Sequence, residues 1–384
     1  QLDYEDWLKS HQPFHWLAEF YQIIKGNGGF DVIIGNPPYV VYTDTNCGYI
    51  INSNNYTTRE CSNLYAFCIE RSKQILSLLG RFGMIVPNSS ISANKMLPVQ
   101  KIIINRQYCW ISNYSWRPSK LFEGADMLLA IIINAPTNSL TSFVKSTIYQ
   151  KWYNEFRNVL FQTLSYTDIT GDVIEGSIPK APSEFAMDII RKMKSHAKEH
   201  LLPENFMLSS KSRLFYFRAV QYWFKVLDRE PIYEEDGVHK VTGEMKPIYV
   251  ENEKYKNMII AILSSSLFFM NYIIWASCQV VNSRDFNFWI NFKNISEQLA
   301  NDLSILGKKL QEDYQVNSHI RERAYSKKGR EFTMQKQHFY IKYSKPIIDQ
   351  IDKQIGIMYN FTEEELDFII NYDIKYRMGD ELNE

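Results

Sequence analysis

The run Phe30-Asp31-Val32-Ile33-Ile34-Gly35-Asn36-Pro37-Pro38-Tyr39-Val40 constrains this chain more than any other. Its first six residues read as an apolar strand, and the strand runs straight into Asn-Pro-Pro-Tyr. A residue before proline is pushed out of the α region, and proline itself holds φ near about −65°. Asn36–Tyr39 is therefore expected to be a rigid, extended loop leaving the strand end. In that geometry the Asn36 side-chain oxygen and the Pro37 carbonyl can face the same way, two acceptors for the two hydrogens of one NH2 group. Holding both hydrogens draws the nitrogen lone pair out of conjugation. Tyr39 offers an aromatic face for a flat base, a contact of ~1–3 kcal/mol. Ligands of open α/β sheets lie beyond the carboxyl ends of the strands, where this loop falls. The competing reading is a Pro-Pro turn after a buried strand, with Asn36 an ordinary turn residue.

With 384 residues the chain has room for two domains, each with its own core. The formal net charge is zero, so any nucleic-acid footprint must be a local basic patch. The five cysteines (Cys47, Cys61, Cys68, Cys109, Cys278) show no Cys-x-x-Cys or Cys/His metal spacing. Free thiols in a reducing, cytoplasmic setting are expected, and no metal. Charged and polar residues interrupt Gln1–His15, so that stretch does not read as a signal peptide. Met258–Val281 carries no charge and is long enough to span a bilayer, yet Ser264, Ser265, Ser266 and Asn271 lie within it. It reads as a buried helix passing into a strand, with no membrane role.

Along the chain, Gly26-Asn27-Gly28-Gly29 reads as a turn into the first strand, and Thr43–Arg59 as a long polar loop. Asn63–Leu79 has helical spacing and is expected to stop at Gly80. Phe82–Asn88, Ile111–Trp116 and Met127–Asn134 read as strands, with a short helix over Gln100–Arg106; this alternation argues for a parallel α/β sheet. Further on, Thr141–Tyr149 is strand-like and Ser183–His196 a helix with Ser183 as N-cap. Val238–Val250 reads as a hairpin around Thr242-Gly243. Thr362 and Glu365 form a capping box for a last helix through Tyr372.

Two stretches invite a nucleic-acid reading. Arg213, Arg218 and Lys225 interleave with Phe215, Tyr216, Phe217, Tyr222, Trp223 and Phe224, which suits phosphate contacts and base stacking; a half-buried element with solvated basic positions is the alternative. Lys308, Lys309, Arg321, Arg323, Lys327, Lys328, Arg330, Lys336, Lys342 and Lys345 form a basic run that would neutralise phosphates or simply be solvated. Asp236 with Glu244-x-Lys246 superficially suits a metal nuclease, and His196/His200 is the single i, i+4 histidine pair. Both sit in charged, polar settings and are set aside as sites.

These segments resemble the amino-methyltransferases that act on adenine in DNA, in particular large type IIG restriction–modification and phage-defence members. The resemblance runs through Phe14-His15-Trp16 and Phe30–Val40, then Asn63–Phe67 and Leu78–Ser89, and through Phe122-Glu123-Gly124-Ala125-Asp126, similar to a segment lining the target-base pocket. Leu263–Phe269 and Asn282-Ser283-Arg284-Asp285-Phe286 are similar to a target-recognition region, and Tyr359–Asp373 to the family's tail. It implies an α/β fold: a partial Rossmann-like methyltransferase sheet over 1–140, a mixed α+β target-recognition domain over 141–300 and a C-terminal helical tail over 301–384. It implies catalysis by Asn36, Pro37, Pro38 and Tyr39 on an adenine flipped out of double-stranded DNA, with S-adenosyl-L-methionine as methyl donor and Arg213, Arg218, Lys225 and Arg284 on the DNA.

A full member also has a Gly-rich loop for the methionine part of the donor and an acidic residue for its ribose. About 30 residues precede the Asn-Pro-Pro-Tyr loop here, and no Gly-x-Gly follows Gly29. Gly26-x-Gly28 neither follows a buried strand nor opens a helix. The chain is thus expected to be the C-terminal part of such an enzyme, relying on a further methyltransferase or nuclease region. Two alternatives stay open: methylation of a glutamine amide or an RNA base, and a non-catalytic DNA-recognition module or subunit.

Overall fold

Strand β1 (Phe30–Gly35) leaves the glycine turn and pairs in parallel with β2 (Leu76–Pro87). The computed structural model describes residues 3–12, 14–43, 45–47, 50–124, 126–327 and 329–379. Asp44, Gly48 and Tyr49 of the polar loop, Ala125 of the 122–126 segment and Lys328 of the basic run lie outside the described residues. The chain divides into two compact units, 1–181 and 182–384. The boundary expected near 140 falls inside the first.

In the first unit, helix α1 (Tyr4–His11) is capped by Asp3, whose carboxylate accepts from the Tyr4 amide. The sheet continues with β3 (Gln107–Tyr114), β4 (Leu129–Pro136), β5 (Phe143–Gln150) and β6 (Thr167–Asp168), in the order β1-β2-β4-β3-β5-β6. It is mixed rather than all parallel: β4 lies between β2 and β3 and runs antiparallel to both. The link from β3 to β4 carries no crossover helix, so β4 returns beside β3 in the opposite sense. Helices α2 (Leu64–Ile75) and α3 (Leu97–Ile104) accompany the sheet. Helix α2 stops at Ile75, not at Gly80; Gly80 already lies inside β2, where a side chain would strike the Phe30 carbonyl.

Alternation along β2 sorts the two faces. Phe82, Met84 and Val86 are buried, while Ile85 and its cross-strand partner Ile131 lie on the other face beneath Tyr39. Strand β1 departs from the expectation of a buried strand. It forms the sheet edge, and Val32 and Ile34 are 58% and 78% exposed.

In the second unit, α4 (Glu184–Ala197) starts at Ser183, whose hydroxyl accepts from the Ala186 amide at 3.1 Å. Strand β7 (Arg213–Phe217) lies between β8 (Val226–Leu227) and a later strand, Met245–Tyr249. Strands β9 (Tyr233–Glu235) and β10 (Val238–His239) form a hairpin turned by Asp236-Gly237, not by Thr242-Gly243. Both turn residues have positive φ, 52° and 75°, the geometry that Asp-Gly hairpin turns require. The Met245–Tyr249 strand, β11, pairs with β7 instead.

The uncharged stretch forms two helices, α5 (Glu253–Ser264) and α6 (Ser266–Trp275), bent by 63°; no strand follows within it. Ser265 breaks the run and caps α6 through the Phe268 amide. No single helix among the described residues is long and apolar enough to cross a membrane. Around this buried pair lie α7 (Glu297–Val316), α8 (Lys345–Tyr359) and α9 (Glu363–Ile370), the last opening on the Thr362/Glu365 capping box. The expected C-terminal helical tail is interrupted by a ten-residue-per-arm hairpin, β12 (Ser318–Lys327) and β13 (Arg330–Phe339), which pairs with β9 through β13. All five cysteines are free.

Candidate functional site

Asn36–Tyr39 leaves the carboxyl end of β1 and is held from behind. The Tyr39 hydroxyl donates to the Ile85 carbonyl of β2 at 2.9 Å, and its ring meets Tyr65 of α2 edge-on at 6.4 Å. Burial pushes the Tyr39 phenol up to about 12, so the hydroxyl remains a donor. Past Tyr39, the Val40 carbonyl accepts from the Leu64 amide and the Tyr42 amide donates to Ser62, which ties the loop to the start of α2. Pro37 is buried. Asn36 and Pro38 are exposed, and the Asn36 amide makes no hydrogen bond to any described residue. The loop is thus a braced strap with one free side-chain amide at its tip.

The segment expected to line a base pocket meets this strap. Phe122 and Met127 pack with Tyr39, Ile85 and Ile131 on a buried cluster of Tyr114, Leu121, Leu129, Trp152 and Leu160. Residues 57 and 58 are drawn in as well. Glu70 of α2 accepts from the amides of Thr57 and Thr58 and from the Thr58 hydroxyl. Burial alone would raise the Glu70 carboxyl, but these donors hold it below its ordinary value. Sequence reasoning did not anticipate the cavity of about 400 Å³ beside the 122–126 segment, lined by Arg117, Lys120 and Arg157 among others. Two of its cations are engaged: Lys120 pairs with Asp126, and Arg157 donates to the Lys120 and Leu121 carbonyls. Arg117 and Lys120 belong to the link between β3 and β4 and Arg157 to the later turn Asn154–Val159, so no local motif marks the set.

The resemblance drawn from the sequence implies S-adenosyl-L-methionine, and the glycine turn before β1 does not fit the methionine-binding loop that this donor needs. The glycine turn before β1 is explained by packing: Gly29 has φ of 130°, and a Cβ there would fall 2.6 Å from the Ser77 amide and 2.7 Å from the Ile75 carbonyl. Glycine is needed there to let β1 approach β2, and the turn opens no helix.

The basic residues of the second unit are placed as follows. Arg213 is exposed on β7, 3.9 Å from Glu230. Arg218 is half-buried in the turn after β7, with its Nε lacking a hydrogen-bond partner. Lys225, at the far end of that turn, lies 4.1 Å over the Phe217 ring, and burial lowers its ammonium to about 8. Arg284 sits in the short turn Ser283–Phe286, and burial lowers it as well. That turn is anchored to the same sheet, since Phe286 meets Tyr216 at 4.8 Å. The aromatic half of the expectation is corrected: Phe215, Tyr216, Tyr222, Trp223 and Phe224 are buried in the core, so they cannot stack on bases.

Three members of the later basic run are neutralised internally: Arg330 by Glu235 and Asp236, Lys336 by Glu244, and Lys345 by Asp349. The same pairs consume Asp236 and Glu244. His196 packs on Tyr359 and His200 bonds Glu204. Among the described residues no group of acidic, Cys or His side chains is placed to hold a metal.

Comparison with known proteins bears on the first unit. Residues 2–122, which carry the strap, match the family model described as Eco57I restriction-modification methylase. That stretch is therefore similar to the methyltransferase part of restriction–modification enzymes. A protein of Methanocaldococcus jannaschii, provisionally named a type II restriction enzyme and methyltransferase, RM.MjaORFECS2P, is 28% identical over 312 residues. The match covers 77% of this chain and 24% of the relative, so the chain spans about a quarter of that protein. Among solved structures, the Type IIL restriction-modification enzyme MmeI in complex with DNA superposes with a TM-score of 0.44 at 10% identity, over 90% of this chain and 57% of that one. A nuclease-deletion mutant of the Type ISP enzyme LlaGI with a DNA substrate mimic gives 0.43 at 12% identity, over 80% and 39%. At these scores the superpositions carry no residue-level correspondence.

Proposed function

We propose that this chain is the amine-presenting and DNA-reading part of a site-specific adenine-N6 DNA methyltransferase of a restriction–modification or phage-defence system. The observation that carries this reading is the braced Asn36–Tyr39 strap, with Tyr39 fixed to β2 and the Asn36 amide free at the strand end. Asn36 Oδ1 and the Pro37 carbonyl accept the two hydrogens of the flipped adenine's amine, and Tyr39 takes the base face, with Phe122 and Met127 behind it. No base is needed before attack, because the proton leaves after N6 has become cationic. Arg213, Arg218, Lys225 and Arg284 contact the duplex.

S-adenosyl-L-methionine is the donor in this reading, bound chiefly by a segment other than those described. The outer edge of β1 is where that segment pairs. No described strand pairs with that edge, Val32 and Ile34 are exposed, and an apolar groove of about 560 Å³ lies alongside, lined by Phe30, Val32, Ile34, Tyr56 and Phe67 among others.

The test has two arms. Calorimetry of this chain with S-adenosyl-L-methionine should show no stoichiometric micromolar binding, and such binding would restore an autonomous enzyme. In an enzyme completed with a donor-binding segment, methyl should appear on adenine N6 of duplex DNA and not on a glutamine amide or RNA. A second reading, a non-catalytic DNA-recognition subunit, draws on the same lack of donor fit. It is the outcome if completion restores donor binding without transfer.

A further inference from the structure

The second unit holds a cavity of about 270 Å³ between the turn after β7 and the segment Phe339–Lys342. Two lysines from these distant stretches line it. Lys225 is half-buried, Lys342 is 9% exposed, and neither ammonium makes a hydrogen bond or ion pair with any described residue. The carboxylate that Lys225 feels most, Glu244, already holds Lys336 at 3.4 Å. Positive charge also lies behind the wall. Tyr340 lines the cavity, and its hydroxyl accepts from Arg321 at 2.9 Å and contacts His319. Cations drawn out of water without counter-charge are disfavoured, and the rings of Phe217 and Tyr343, 4.1 and 5.7 Å from the two ammoniums, offset only part of that.

We infer that this cavity is a phosphoryl-binding site, with Lys225 and Lys342 donating to the non-bridging oxygens and Gln221 at the rim. A phosphoryl group brings full negative charge and several acceptors into one small volume, which two lysines lining the same cavity match better than they match a single carboxylate. The cavity falls just below the ~300–1,000 Å³ usual for small-molecule sites, which fits one phosphoryl group with part of its sugar. Its source is either the backbone of a polynucleotide or a free nucleotide 5′-phosphate. The phosphoryl assignment rests on the two lysines of this cavity; only the polynucleotide source rests on the DNA-reading role proposed above.

The experiment uses the full chain and titrates inorganic phosphate, adenosine 5′-monophosphate and a short duplex. It compares the parent with Lys225→Gln, Lys342→Gln, and Lys353→Gln as a control at an exposed site on α8. Phosphate and nucleotide binding should weaken at least about 10-fold in each cavity variant, the scale of a lost charge-assisted hydrogen bond, and stay unchanged in the control. If duplex affinity falls in step and free phosphate competes with it, the source is the polynucleotide backbone. If duplex affinity is unmoved while the nucleotide loses affinity, the source is the free nucleotide. An absent duplex signal with phosphate binding intact removes the DNA reading and leaves the site standing. Phosphate binding that is absent from the parent, or equal in parent and both variants, overturns the inference. Should a glutamine variant misfold, reductively 13C-methylated parent protein decides the same question: Lys225 and Lys342 methyl resonances that shift on adding phosphate support the site, and resonances that stay put overturn it.

Discussion

Replacing Tyr39 separates the bracing of the strap from the surface it offers. In Tyr39→Phe one neutral hydrogen bond is lost, the 2.9 Å bond to the Ile85 carbonyl, with a net cost of ~0.5–1.5 kcal/mol. The edge-on contact with Tyr65 and the packing on the Tyr114–Trp152 cluster survive. Tyr39→Ala loses the bond, the ring pair at ~0.5–1.5 kcal/mol, and the apolar packing of a half-buried ring. A full burial would cost ~3–5 kcal/mol, so roughly half of that applies, and the three losses together come to about 4 kcal/mol. Urea denaturation of the full chain should therefore rank the parent above Tyr39→Phe by about 1 kcal/mol and above Tyr39→Ala by about 4 kcal/mol. Single-turnover transfer in a completed enzyme should rank them the same way, because the alanine also forfeits ~1–3 kcal/mol of base stacking. Tyr39→Trp keeps an aromatic face but has to fit between Ile85 and Tyr65, so overpacking should cost it ~1–3 kcal/mol. Equal losses in the phenylalanine and alanine variants would refute the assignment, since neither the bond nor the ring would then matter separately.

Three further outcomes follow from the geometry. Asn36→Ala removes an exposed amide that bonds nothing described, so stability should move by less than ~0.5 kcal/mol; methyl transfer should fall by ~10²–10³, as when one preorganised polar group is removed, and an unchanged rate returns the loop to a plain Pro-Pro turn. Gly29→Ala places a Cβ against the Ser77 amide at a φ of 130°, and should cost ~2–4 kcal/mol in a denaturant melt; a variant as stable as the parent contradicts the close approach of β1 to β2. Burial raises the Asp352 carboxyl from 3.8 to about 6, so between these pH values the folded state holds more protons than the unfolded. Its contribution to stability is therefore lost as pH rises through that window, by on the order of 3 kcal/mol. Acids held low, such as Glu70 and Glu365, tilt the whole-protein curve the other way. The measurement is thus the difference in melting temperature between parent and Asp352→Asn across that window, and a difference that stays flat removes the claim.

What the sequence disclosed was local. The Asn-Pro-Pro-Tyr strap, the Ser183 cap and the Thr362/Glu365 box are each written in a few consecutive residues whose backbone preferences decide the outcome. What it withheld was partnership. Nothing between Ile111 and Asn134 says that β4 will slip between β2 and β3, because pairing order is settled by crossover geometry and not by the strand's own residues. The β12–β13 hairpin was hidden by its charges: ladder pairs such as Arg321 with Lys336 and Glu322 with Gln335 carry little apolar alternation, so the segment passed for solvated helix. Asp236-Gly237 carries the stronger turn signal of the two dipeptides, since Asp and Gly both adopt the positive φ that the turn requires and Thr does not. Lys225 and Lys342 meet only through the fold.

The one disagreement with functional weight is β1. A strand reading Val-Ile-Ile with apolar residues on both faces is the pattern of a strand covered from both sides. The described fold leaves it at an edge with Val32 and Ile34 in solvent, although such edges are ordinarily blunted by charge, proline or a covering segment. Local pattern and observed exposure conflict at the strand that delivers Asn36, and nowhere along the buried face of β2. The conflict is resolved if a further strand pairs there. A strand added parallel to β1 would bring its own carboxyl end beside the strap, which is where the proposed reading puts the methyl donor, within reach of an amine held by Asn36.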